Sequence, residues 1–583
     1  MIRGVPISPG VAIARAYRMD PALARHSPGL LDAAALSAEA SRFDAACDGV
    51  SAELEQTIER VRSEVGETSA DIFRGHRAIL RDPAFVMKVK GYILNSQMDA
   101  VTSLNKTLEE YDLLFARIHD EYLRERMADI RDVAEQIISH LTIETDRQAI
   151  GLSEPLILVA PEIRPSQAAM FDKLPVSGIA TESGGSTGHA AVLARSLGIP
   201  AVSGLTGLLA QVQNGDLLIV DGREGIVIAN PGPEVEAAYR KLQREYVDLR
   251  DSLVENRDLE PITKDGERVE LLANVNSVID AAAASGVGAS GVGLFRTEYV
   301  FLTHPTVPTE DEQVLAYRKI IEASPNRSVV IRTLDLGGDK QVKYFSNYRQ
   351  ANPFMGWRSI RMSSEHPEFF QTQLRAILRA GVEGKVAVLF PMISTVEEVR
   401  RLRRLIDRAR MSLHQQKIPH SEDVPFGVMV EVPAAAECID HILAEVDFVS
   451  IGSNDLVQYL MAADRDNPRV AALCDPCHPA VLRVLRRIIS RCVKQNKPVT
   501  LCGEMAGRPM CLLLLIGMGL RKASMSPAFV PAIKELVRSV SLADTRRVAR
   551  AALRMETVAE VRAYLAERLR KLCPQVANLD TNG

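Results

Sequence analysis

The sequence predicts a multidomain α/β protein with a C-terminal (β/α)8 TIM barrel and an N-terminal α/β unit that carries an inserted all-α helical subdomain. Three observations predict it. From residue 267 onward, apolar strand segments alternate with helical runs eight times. Helical periodicity, nearly free of glycine and proline, fills residues 33–141. Strand-like segments stand on both sides of that block, so it reads as an insertion into a single sheet-forming unit. A chain of 583 residues is long enough for roughly three to four domains, each with its own core.

Residues 1–20 read as a short strand with turns. In the helical block, Phe43, Ala46, Val50, Leu54, Ile58, Val61 and Val65 recur every three or four positions, and a second amphipathic run covers Leu104 to Ile138. The period changes near Leu156, where Leu156–Val159, Ile179, Ala201–Val202 and Leu217–Val220 alternate with turns. These segments predict an α/β domain over 1–20 and 145–230, with the helical insertion at 30–144. Pro233 to Asp258 is charged and amphipathic, which predicts a linker helix within 231–260. The barrel is expected over 261–573, from strands at 269–273, 292–295, 329–332, 386–390, 426–430, 448–451, 499–502 and 523–525, with 574–583 as a tail.

With 70 Lys+Arg against 74 Asp+Glu, the net charge of -4 argues against nucleic acid or an anionic membrane as partner. The apolar patch near Met510 to Leu520 is too short to span a bilayer, and no secretory h-region follows Met1. Eight cysteines, mostly in core-like segments, fit reduced thiols, so a cytoplasmic location is expected.

Two constellations carry chemistry. Gly184-Gly185-Ser186-Thr187-Gly188-His189 leads into a helical run from Ala190 to Leu197, which would put His189 at a helix N-terminus suited to an anion such as phosphate. The second is the set of polar residues that follow the barrel strands: Asn274; Arg296, Thr297 and Glu298; Arg332 and Asp335; Met392; Glu431; Asn454 and Asp455; Cys502 and Glu504; Ser524 and Ser526. A barrel gathers those strand ends on its catalytic face. Glu431 and Asp455 are hard oxygen ligands suited to Mg²⁺, and Arg296, Arg332 and Arg465 suit bidentate capture of phosphate or carboxylate. The substrate class is therefore a small phosphorylated anion. Cys502 is either a proton donor to carbon or a packing residue.

Other signals carry less. Gly286-Val287-Gly288-Ala289-Ser290-Gly291 follows a helix and precedes a strand, the reverse of a dinucleotide loop. Cys474-Asp475-Pro476-Cys477-His478 reads as an inter-element loop rather than a haem attachment site. His119 and His441 read as surface or capping residues, while His76 stays open as a partner-facing residue of the insertion.

Seven motifs in order resemble Enzyme I, the phosphoenolpyruvate-protein phosphotransferases of the bacterial phosphotransferase system: Gly184–Ala191, Gly293–Glu298, Arg332–Lys340, Asn352–Arg358, Val430–Ala435, Ile451–Leu456 and Cys502–Gly507. The resemblance spans essentially the whole chain. It implies that His189 is the phosphorylated histidine and that Glu431 and Asp455 bind Mg²⁺. It further implies that Arg296, Arg332, Asn454, Asp455 and Arg465 hold phosphoenolpyruvate, that Arg358 and Asn352 help position the phosphate, and that Cys502 protonates the enolate. The implied acceptor is the histidine phosphocarrier protein HPr, docked by the helical insertion, and the implied assembly is a homodimer through the barrel.

The chain departs from many Enzyme I sequences at Gly188, where they have Ser, and at Ser186, where they have Arg. Both differences bear on the stability of the phosphohistidine and the acceptor it recognises. Pyruvate phosphate dikinase and phosphoenolpyruvate synthase share the histidine domain and the barrel but need a nucleotide-binding domain, which no stretch here is long enough to supply. The alternative duty is a regulatory, nitrogen-type phosphorelay using the same chemistry with a dedicated carrier. Members of that type usually carry an N-terminal sensory domain, and none is expected here.

Overall fold

The computed structural model describes residues 1–18, 33–64, 77–115, 130, 133–134, 136–138, 140–141, 154–161, 163, 175–183, 194, 198–302, 307–335, 352, 355–364, 366–465, 467 and 470–577. Residues 184–193, which include His189, and also His76 and His119, lie outside the described residues.

The N-terminal unit is an eight-stranded sheet. Its strands are β1 (Ile2–Arg3), β2 (Val5–Ser8), β3 (Val11–Arg18), β4 (Leu156–Ala160), β5 (Val176–Thr181), β6 (Ala201–Ser203), β7 (Leu217–Asp221) and β8 (Ile226–Ala229). They run in the order β1-β8-β7-β3-β4-β5-β6-β2. The first eighteen residues therefore hold three strands, where the sequence pattern predicted one: β3 lies in the middle, and β1 and β2 reach the two edges. Gly4 makes the step between them, its amide donating to Gly225 O at 2.8 Å. Leu156, Ile157, Leu158 and Val159 of β4 are all buried, as expected of a strand covered on both faces. Gly198 adopts φ +66°, a backbone region that glycine favours, and Ile199 N–H bonds Ala194 O.

The helical block has a core of its own. Phe43, Val50 and Leu54 of the helix Ala33–Glu64 meet Phe85, Val89 and Ile93 of Pro83–Ser96, Leu104 of Ala100–Phe115, and Val133, Ile137 and Leu141. No sheet residue joins this cluster, as an insertion requires. The second predicted run is helical from Ala100 to Phe115 and again at the described residues of 130–141.

The helix Pro233–Val254 and a 3-10 turn over Glu255–Asp258 occupy the predicted linker. Gln243, midway along the helix, bonds Val11 O of the sheet at 3.2 Å, and Asn256 in the 3-10 turn bonds Glu535 of the barrel domain at 3.1 Å.

Eight parallel strands close the barrel: β9 (Glu270–Val275), β10 (Val292–Arg296), β11 (Ser328–Arg332), β12 (Lys385–Phe390), β13 (Phe426–Val430), β14 (Phe448–Ile451), β15 (Val499–Leu501) and β16 (Lys522–Met525), with β16 returning to β9. Leu294, Leu389, Met429 and Cys502 pack together inside it. Capping boxes at Thr309/Glu312, Thr395/Glu398 and Thr557/Glu560 start three of the outer helices. The apolar patch is the helix Pro509–Met518, buried on every side, and no helix among the described residues is long and apolar enough to cross a membrane.

The expected tail begins later than the sequence pattern predicts. Residues 574–577 are not tail: Pro574–Ala577 is helical and its Val576 is fully buried in the barrel core, an anchoring role that so short a segment does not announce. Gly286-Val287-Gly288 ends the helix Val278–Gly286 and turns into β10, with Gly288 at φ +70° packed on Arg257 O, which leaves no room for a cofactor loop.

Candidate active site

The C-terminal ends of the barrel strands bring the predicted residues together. Arg296 ends β10 and Arg332 ends β11, Glu431 follows β13, Asp455 lies in the first turn of the helix Ser453–Met461 after β14, and Cys502 follows β15. Bare backbone permits this convergence. A Cβ on Gly452 would lie 2.5 Å from Glu431 Oε2, and one on Gly503 would collide with Ser453.

Ion pairs bind these groups into one network. Arg332 Nη2 donates to Glu298 Oε1 at 2.6 Å, and its Nη1 lies 3.3 Å from Asp335. Arg358 grips Asp335 with two bonds, at 3.1 and 2.8 Å, and reaches Asp455 Oδ2 at 3.3 Å. Arg465 Nη1 stands 2.8 Å from Asp455 Oδ1 as an ion pair without hydrogen-bond alignment. Burial works against charge on Arg332 and Arg358, yet Glu298 and Asp335 around the first, and Asp335 and Asp455 around the second, hold both above the ordinary arginine value. Arg296 differs. Burial and the neighbouring Arg332 pull it down more than Glu298 and Glu504 hold it up, and its contact with Asn276 Oδ1 is long at 3.5 Å, so among the described residues no ion pair holds it as Arg332, Arg358 and Arg465 are held.

The two candidate metal carboxylates are unlike each other. Burial, with Asp455 and Asp335 nearby, pushes Glu431 up to about 8. Asp455 is also buried, but Arg358 and Arg465 hold it below the ordinary carboxylate value. Glu431 Oε1 accepts the Met392 amide at 2.6 Å. Asp455 Oδ1 accepts no hydrogen bond among the described residues. A buried carboxyl crowded by like charge, beside a carboxylate oxygen that is ion-paired but accepts no hydrogen bond among the described residues, is a donor set that suits a hard divalent cation. Among the described residues no group of three or more His, Cys, Asp or Glu is placed to hold a metal, so Glu431 and Asp455 are the candidate pair.

The Cys502 thiol is 3 % exposed and receives the Ser450 hydroxyl at 3.1 Å. Burial pushes it up to about 11, so it carries its proton at neutral pH. Asn274 holds its carbonyl at 2.9 Å and is itself bonded by Ser524 at 2.6 Å, two strand-end residues that act as supports. Asn454 Oδ1 accepts the Glu504 amide at 3.0 Å, and Asn454 and Arg465 line a cleft of about 490 Å³, open to solvent, together with Ser453, Glu504 and Arg508.

Some expectations fall elsewhere. Asn352 is exposed, its carbonyl accepting the Met355 amide in a local turn. In the Cys474–His478 loop neither cysteine forms a disulfide among the described residues, and His478 caps the helix Pro479–Lys494 through its ring nitrogen. His441 is exposed. Sequence reasoning placed Glu298, Asp335 and Met392 at strand ends without roles, and missed Ser359 and Tyr459 altogether.

Barrel, strand-end arginines, paired carboxylates and protonated thiol define an enzyme that handles a small phosphorylated anion, and the family comparisons narrow that class to PEP-utilising enzymes. Residues 250–542 match the family described as PEP-utilising enzyme, PEP-binding domain; residues 152–225 match its mobile domain and residues 3–126 its N-terminal domain. The chain is 39% identical over 565 residues, 97% of each chain, to a phosphoenolpyruvate-protein phosphotransferase of Bacillus sp. (strain S). It is 38% identical to that of Bacillus subtilis (strain 168), covering 97% of this chain and 99% of that one, and 37% identical to that of Haemophilus influenzae, with the same coverage. The chain belongs to the phosphoenolpyruvate-protein phosphotransferase family.

Proposed function

We propose that this chain transfers the phosphoryl group of phosphoenolpyruvate to its own His189, releasing pyruvate, and then to a histidine of the carrier HPr, the first step of a sugar phosphotransferase system. The observation that carries the proposal is the charge layout of the barrel rim. Arg296, Arg332, Arg358 and Arg465 face Glu298, Asp335 and Asp455, while Glu431 is pushed up to about 8, so the site carries a small positive excess before substrate enters. A phosphorylated carboxylate brings up to three negative charges. Arg296 is the guanidinium poised to take one, and a divalent cation at Glu431 and Asp455 supplies the rest.

Arg296, Arg332, Asn454 and Arg465 hold phosphoenolpyruvate, and Arg358 keeps Asp455 and Asp335 in place. Mg²⁺, when bound by Glu431 and Asp455, neutralises phosphoryl oxygens as a Lewis acid. The neutral imidazole of His189 attacks phosphorus as the bond to the enolate oxygen breaks. The Cys502 thiol gives its proton to the methylene carbon of the enolate, forming the methyl group of pyruvate, and the thiolate recovers a proton from solvent.

The unit formed by 1–20 and 145–230 brings His189 to the barrel and then, through the linker at 231–260, to HPr on the 30–144 insertion. The barrel also serves as the homodimer interface, and the protein works in the cytoplasm. The test is incubation with Mg²⁺ and ³²P-labelled phosphoenolpyruvate without nucleotide. Acid-labile, alkali-stable label that is absent from His189→Ala and chases onto added HPr is expected. A folded, Mg²⁺-binding chain that takes up no label refutes the proposal.

A further inference from the structure

Nine non-glycine residues among those described have φ in the left-handed region. Seven of them, from Gln97 to Asn496, are exposed; only Ser359 (φ 55°) and Met392 (φ 59°) are buried. Side chains other than glycine resist this conformation, and such residues persist in a core only where the surroundings impose it. Both border the candidate site: Ser359 follows Arg358, and the Met392 amide holds Glu431 Oε1.

The two are also joined to each other. Ser359 Oγ donates to Pro391 O at 3.4 Å, the carbonyl of the peptide that carries the Met392 amide. On the other side Arg358 Nη1 donates to the Tyr459 hydroxyl at 3.2 Å, and that hydroxyl points at Met392 Sδ at 3.9 Å. Arg358, Ser359, Pro391, Met392 and Tyr459 thus form a closed ring across the loops that follow β11, β12 and β14. Arg358 touches Asp455 and Met392 touches Glu431, so the ring ties together the two candidate cation ligands.

We infer that Met392 is a positioning residue for the cation site. Its left-handed backbone aims the amide at Glu431 Oε1, which leaves Oε2, beside the bare backbone of Gly452, as the oxygen offered to the cation. The ring through Tyr459 and Arg358 keeps that oxygen in register with Asp455. This rests on reading Glu431 and Asp455 as the cation ligands.

The test is Mn²⁺ titration of the full chain, followed by electron paramagnetic resonance, for wild type, Met392→Gly, Met392→Val and Tyr459→Phe, with thermal unfolding in parallel. Glycine adopts the left-handed region freely and keeps the amide in place, so Met392→Gly should bind within about threefold of wild type. Valine resists that region and swings the amide away, lowering affinity about 10- to 100-fold, the usual range for lost outer-shell support. Tyr459→Phe, which removes one hydroxyl and leaves the packing, should weaken binding severalfold and decides the matter if Met392→Val does not fold. Equal binding by the glycine and valine variants, or wild-type binding by Tyr459→Phe, overturns the inference while the cation reading stands. A wild-type chain that binds no Mn²⁺ overturns both.

Discussion

Asp335 is the carboxylate whose loss the barrel should feel most. It is 2 % exposed, takes two bonds from Arg358 at 3.1 and 2.8 Å, and faces Arg332 at 3.3 Å. In Asp335→Ala the two guanidinium groups fare differently. Arg332 keeps Glu298 at 2.6 Å, whereas among the described residues Arg358 keeps Asp455 at 3.3 Å and the Tyr459 hydroxyl. Removing one partner of a buried pair costs about 3–5 kcal/mol, because a charge is left desolvated and under-compensated. Relief of the repulsion between Asp335 and Glu431 offsets a small part, which places the expected loss near the bottom of that range, about 3 kcal/mol. The chain has one tryptophan, Trp357, directly beside Arg358, so its fluorescence reports unfolding of this region. Urea titration should show the Trp357 transition about 1 M lower, taking a slope of about 3 kcal/mol per M. The double variant Asp335→Ala/Arg358→Met should recover at least half of the loss, since an apolar isostere removes the stranded charge. A shift below about 0.3 M, or a double variant no more stable than the single one, would refute the reasoning.

Four further outcomes follow from the same site. Because Glu431 sits at about 8, binding of Mg²⁺ or Mn²⁺ at pH 7 should release roughly one proton, visible as a dependence of calorimetric heat on buffer ionisation enthalpy. The sign for stability is the same: a carboxyl raised in the folded state favours folding at low pH, so the metal-free barrel should lose stability between about pH 4.5 and 8, and added cation should restore it. Cys502→Ala should fold and still pass label to His189, but pyruvate release should slow about 10²- to 10⁴-fold, measured by rapid quench; unchanged release would remove the thiol from the mechanism. Gly452→Ala puts a methyl group 2.5 Å from Glu431 Oε2 and 2.9 Å from Met429 Sδ, so it should cost about 1–3 kcal/mol by thermal unfolding and weaken cation binding.

Much of the barrel and its rim was legible in the sequence. The eight strands fall where apolar segments predicted them, because a strand covered on both faces is written as a short continuous apolar run. Arg296, Arg332, Glu431, Asp455 and Cys502 were found because each breaks such a run at its C-terminal end, where a barrel collects its functional groups. The partnerships were not legible. Nothing in sequence separation says that Arg358 binds Asp335 and Asp455, or that Tyr459 stands between Arg358 and Met392. The left-handed backbone at Ser359 and Met392 had no signal either, since both positions hold residues that ordinarily avoid it.

The sequence by itself therefore determined the element order, the insertion of the helical block, the chemical types gathered at the barrel mouth and, by resemblance, the family. Hydrophobic periodicity and strand-end polarity are local properties, and local properties can be read from a chain. Only the tertiary structure decided which charges neutralise one another, why Arg296 is pulled down while Arg332 and Arg358 are held up, why Glu431 is shifted up and Asp455 down, and how β1 and β2 reach the two edges of one sheet. Those outcomes depend on distances and burial between residues far apart in the chain, and folding alone sets them.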